Sequence, residues 1–92
     1  MTQMRAARAE AARTALAKGD FASARRFATA LVAADGSDAE GHFLLGIAES
    51  SAGRVRIGIT HIDRAVALNP RGEYRAQLAK LYIMMRRDRK SV

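Results

Sequence analysis

His42 and His61 are the only histidines among 92 residues, and the chain contains no cysteine. The lack of cysteine removes thiolate nucleophiles, disulfides and thiolate metal sites, and two histidines without a third ligand beside them make a poor transition-metal set. Each histidine is therefore expected as a surface or core-edge side chain. Ser50 and Ser51 have no histidine or carboxylate at a spacing that would activate a hydroxyl. Gly41, Gly46, Gly53, Gly58 and Gly72 reach the density of a phosphate-binding loop, but no strand leads into them. These residues imply no catalytic constellation and no cofactor, and the chain is expected not to be an enzyme.

Charge is the next feature that could carry chemistry. The formal net charge is +7, and arginines make up 13 of the 16 basic residues. Arg5, Arg8 and Arg13, then Arg25 and Arg26, then Arg54, Arg56 and Arg64 are spread through the chain without the interleaved aromatics that stack on bases. Only the run RRDRK at 86–90 is dense, and it reads as a solvated helix end whose cations complement the backbone dipole. An acidic partner fits this balance better than nucleic acid, for which only weak, salt-sensitive binding is expected. No apolar run approaches the roughly 20 residues that cross a bilayer, so no membrane partner is expected. The Arg- and Ala-rich opening stretch could imitate a transit helix, but Glu10 and the absence of serine there argue against it. A cytoplasmic location fits the cysteine-free composition.

Such a length supports one small domain burying roughly 60–65% of the surface of its unfolded form. Abundant alanine, 49% hydrophobic residues and no tryptophan suit helices. Residues 53–70, GRVRIGITHIDRAVALNP, present a conflict, because Val55, Ile57 and Ile59 alternate like a strand. Sliding the chain by 34 residues resolves it. Gly19 then falls on Gly53, Phe21 on Val55, Ala24 on Gly58, Ala28 on Ile62, Leu31 on Ala65, and Asp35–Gly36 on Asn69–Pro70. The partner segment FASARRFATALVAADG does not alternate, so both copies are expected to be helical.

Each copy reads as helix, glycine turn, helix. Ser37 and Glu40 form a capping-box signature for a helix over about 38–51, which Ala52 and Gly53 end. The next helix carries Val55, Ile59, Ile62, Ala65 and Val66 up to Asn69 and Pro70. A third segment places Tyr74, Leu78, Leu81, Tyr82 and Met85 on one stripe, the opening helix of a further unit. Five helices are expected, the last capping the others.

The segment AEGHFLLGIAESSAGRVRIGITHIDRAVALNP resembles a tetratricopeptide repeat. Leu45 and Gly46 match the family's large-then-small pair, Gly58 and Ala65 its small positions, Ile62 a bulky one and Pro70 its terminator. The copy before it departs at Leu31 and Gly36; Leu78, Ala79 and Tyr82 match again at a spacing of 33 residues, and His42 and Glu49 replace large apolar residues. The resemblance implies an all-α fold, a right-handed superhelical stack of antiparallel helix pairs in a single domain. Repeat one would span about 5–38 and repeat two about 39–72, with a first helix of a third repeat, or cap, over about 73–88.

The resemblance also implies protein binding in a concave groove lined by the first helices. Its lining residues would be Ala9, Glu10 and Arg13, then Phe43, Leu44, Ile47 and Ser51, then Ala76, Gln77 and Lys80. The carboxylate clamp of chaperone-binding members is not reproduced, because Ala9, Leu44, Glu73 and Gln77 stand where it needs basic or amide groups; Arg13 and Lys80 are left as anchors. A centre of Phe43, Leu44 and Ile47 favours an apolar or amphipathic peptide or helix. Ile83 and Met84 lie on another face, either as a self-association surface giving a homodimer or as the seat of a continuing stack. Two other functions compete with a scaffold: the repeat-bearing portion of a larger sulfotransferase-like or glycosyltransferase-like enzyme, and weak nucleic-acid binding.

Overall fold

A computed structural model of the chain describes the backbone of residues 2–91 and the side chains of residues 4–86. The helices are α1 (Thr2–Lys18), α2 (Phe21–Ala34), α3 (Ala39–Ser51), α4 (Val55–Leu68) and α5 (Gly72–Ser91). Among the described residues there is no strand, and Val55–Ile59 form the first turns of α4. None of these helices is long and apolar enough to cross a membrane.

The chain reverses at two glycines that occupy the left-handed region, Gly19 at φ +79° and Gly53 at φ +97°, a conformation that costs other residues free energy. The starts of α2 and α3 are fixed by carboxylates. The Asp20 side chain accepts the Ser23 amide at 3.2 Å and opens α2. At α3 the structure corrects the expected capping box by one residue. Asp38 is the cap and accepts the Gly41 amide at 3.0 Å, while the Ser37 amide donates to Asp35 at 2.9 Å. Glu40 does not turn back to the cap; it reaches across to α1.

Each helix packs on the next in sequence, and α1 also lies against α3. The pairs of residues 34 apart are buried alike: Ala12 with Gly46, Ala24 with Gly58, Ala28 with Ile62, Leu31 with Ala65. Small residues at the first two pairs let the helices of each hairpin approach closely. In the second hairpin a Cβ built on Gly46 would collide with Ile62 Cγ1 and stand 2.8 Å from the Gly58 carbonyl. Ala9, Ala12, Ala28, Leu31, Leu44 and Leu45 form one core. Phe43, Ile59, Ile62, Ala65, Tyr74 and Leu81 form a second, beneath α5, and Ala15, Ala24 and Ala48 form a third. Tyr82 leaves the expected α5 stripe: it is 51% exposed, whereas Tyr74 and Leu81 are buried and Leu78 and Met85 pack against them. The residue after Leu81 is turned about 100° around the helix axis, away from α4.

Two glycine substitutions separate close packing from propensity. Gly46→Ala should lower the free energy of unfolding by about 1–3 kcal/mol through overpacking. Gly72→Ala, whose added carbon meets nothing within 4 Å, should leave stability unchanged or raise it by about 0.4–1 kcal/mol. Urea denaturation of the two variants measures the difference.

Candidate functional site

The residues expected along the groove do not assemble into one apolar recess. Ala9 and Leu44 are buried in the core shared by α1, α2 and α3. Phe43 is buried beneath α5, its ring centroid 4.4 Å from that of Tyr74. All three side chains are buried, Phe43 against Tyr74 and Leu81 of α5 and Leu44 against the first hairpin. Ile47 is half-buried against the same cluster as Phe43. Arg13, Ser51, Ala76 and Lys80 are exposed and Gln77 is half-exposed. Glu10 lines a shallow recess with Thr14, Ser23 and Phe27 on the α1–α2 side. Ile83 and Met84 are exposed beside Tyr82. The side chains of the basic run after Arg86 lie outside the described residues.

Arg13 is not an unoccupied anchor: it pairs with Glu40. Arg5 holds the same carboxylate at 3.1 Å and grips Asp38 through Nε at 2.9 Å and Nη2 at 2.8 Å. Burial alone would raise the Asp38 carboxyl, but the Arg5 hydrogen bonds, the Gly41 amide and the Arg5 charge hold it below the usual carboxylate range. One acidic helix start thus fastens α1 to α3.

Two polar clusters escape a reading of the linear sequence. In the first, His42 and His61 face each other with Nδ1 atoms 3.3 Å apart. The ring centroids are 5.6 Å apart and the planes differ by 26°. The separation exceeds the nitrogen distance by about one ring width, so the rings meet edge to edge. The Gly36 carbonyl can only accept, so His42 Nε2–H donates to it at 2.9 Å. That leaves His42 Nδ1 as an acceptor, and His61 Nδ1–H as the donor. Placing protons on all four nitrogens would drive two N–H groups together. Burial first, and repulsion from the neighbouring His42 second, push the His61 pKa below its ordinary 6.5, against the opposing pull of Glu49.

The second cluster surrounds Glu49, whose side chain is only 5% exposed. Arg54 reaches Oε1 through Nε and Nη2, each at 3.0 Å, and Arg25 Nε lies 3.2 Å away. This carboxylate joins α2, α3 and the start of α4. The register that sets Gly46 against Gly58 also brings residue 42 opposite 61 and residue 49 beside 54. The two glycines were the available signal for both clusters.

Compared with protein-family models and with curated proteins, the chain matches none.

Since the folded His61 resists a proton that the unfolded chain accepts, folding stability should decline as the pH falls below about 6.5 and the decline should level off once the folded His61 is also protonated. His61→Asn retains an N–H donor and removes the titration, so it should flatten this part of the pH profile. Denaturation midpoints between pH 5 and pH 8, the range over which histidine titrates, provide the check.

Proposed function

We propose that the chain is a tetratricopeptide-like, non-catalytic scaffold whose first-helix surface holds a segment of another protein. The observation that carries this reading is the duplicated hairpin. Gly19 and Gly53 adopt the same left-handed turn, and four pairs of residues at the 34-residue spacing are buried alike. Repetition of one helical pair, with α1 lying against α3, supports a right-handed stack in a single domain over residues 1–92. A unit of this kind buries its faces against its neighbours and presents an extended side for binding. A cytoplasmic location belongs to the same proposal and rests on the absence of cysteine.

The burial of Phe43 and Leu44 alters the partner's chemistry. What remains open at the expected positions is Glu10, Arg13, Ser51, Ala76 and Lys80, all exposed, with Ile47 and Gln77 half-buried. A mainly polar segment with one apolar side chain near Ile47 fits this surface better than the apolar face of a helix.

Peptide display against the folded chain, followed by amide-shift mapping of an enriched ligand, tests the reading. Shifts should cluster at Arg13, Ile47, Ser51, Gln77 and Lys80. Lys80→Glu should weaken binding about tenfold, on the order of one charge-assisted contact, without changing Tm. Shifts confined to other surfaces, or affinity indifferent to Lys80→Glu, would contradict it.

A further inference from the structure

The start of α2 and the corner between α3 and α4 enclose an open recess of about 540 Å³, lined by Phe21, Arg25, Arg26, Thr29, Ala52 and Arg54. Its size lies within the roughly 300–1,000 Å³ typical of small-ligand sites. None of Arg13, Ile47, Ser51, Gln77 and Lys80, the residues assigned above to a protein partner, lines it.

Glu49 organises this recess from behind. Its buried carboxylate engages Arg25 through Nε and Arg54 through Nε and Nη2, yet the Arg25 and Arg54 side chains remain 55% and 45% exposed. A guanidinium carries five N–H donors in a rigid plane. Glu49 therefore holds each arginine by part of its fork and leaves further donors at the surface. One carboxylate needs one cation for neutrality; here it has two, and the exposed Arg26 adds a third. The cluster carries a net charge of two positive units, and no acidic residue lines the recess. Guanidinium forks match the oxygen spacing of phosphate, and holding them in place before binding lowers the entropy cost of ordering them. Phe21 and Ala52 provide an apolar edge beside that charge.

We propose that this recess binds a small phosphomonoester, with its dianionic phosphate among Arg25, Arg26 and Arg54 and its apolar body against Phe21 and Ala52. The two arginines on Glu49 preorganise the site, and Arg26, whose charge is felt by Asp20 at the start of α2, adds a cation outside the Glu49 pairings.

The test is an amide-shift titration of the full chain at constant ionic strength with phenyl phosphate, inorganic phosphate and benzoate. Phenyl phosphate should give saturable shifts at Phe21, Arg25, Arg26 and Arg54. Inorganic phosphate, lacking the apolar body, and benzoate, with a single charge, should both bind more weakly. Arg25 and Arg54 are left intact, because removing either would weaken the support of buried Glu49. Arg26→Gln should weaken phenyl phosphate about tenfold, the loss of one charge-assisted hydrogen bond. Arg64→Gln, on the exposed side of α4 and outside the recess, should leave the affinity unchanged. Equal weakening by both variants would assign the binding to net charge and overturn the proposal. So would benzoate binding as tightly as phenyl phosphate, or shifts that fail to saturate.

Discussion

The backbones of α3 and α4 touch where neither helix has a side chain. A Cβ on Gly46 would lie 2.8 Å from the Gly58 carbonyl, and a Cβ on Gly58 would lie 2.7 Å from that of Gly46. The constraint is reciprocal, so the two helices cannot slide along one another without driving a larger residue into the contact. Packing at interior density tolerates little such movement. Ala12 and Ala24, both fully buried, occupy the matching positions of the first hairpin. Everything placed across α3 and α4, from the histidine pair to the Glu49–Arg54 pairing, inherits its alignment from this approach.

Charged groups then join one hairpin to the other. Asp38 and Glu49 are both buried on α3, near its two ends, and each is met by arginine from the first hairpin: Arg5 from α1 and Arg25 from α2. Buried ion pairs often add little net stability over apolar packing, while losing one partner leaves an expensive lone charge. Their effect here is to make one orientation of the hairpins cheaper than its alternatives. Much of the basic excess is accordingly engaged in the fold. Arg5 and Arg13 are taken up by Asp38 and Glu40, whereas Arg25 and Arg54 meet Glu49 and keep part of each guanidinium at the surface.

The helices and corners could be read from the repeat, because both depend on local chemistry. Glycine at 19 and 53, small residues at 24 and 58, and the terminator at 69–70 each act within a turn or two of their own position. Val55 and Ile59 became helical because burial against α3 and α5 outweighs β-branched propensity. The cap of α3 lies one residue beyond Ser37, since Asp35 captures the Ser37 amide and Asp38, gripped by Arg5 from 33 positions away, accepts the Gly41 amide. The groove was less legible. Whether Phe43 faces solvent depends on how α5 returns over α3, which no local spacing encodes. His42 and His61 are 19 residues apart, and become neighbours only once the glycine contact sets the register.

The most direct measurement of this account is the proton–proton Overhauser contact between Gly46 and Gly58. Cross-peaks between their α-protons, together with contacts between the His42 and His61 rings, are the predicted result. Their absence from a well-dispersed spectrum, or cross-strand contacts over residues 55–59, would contradict the helical register on which the scaffold rests.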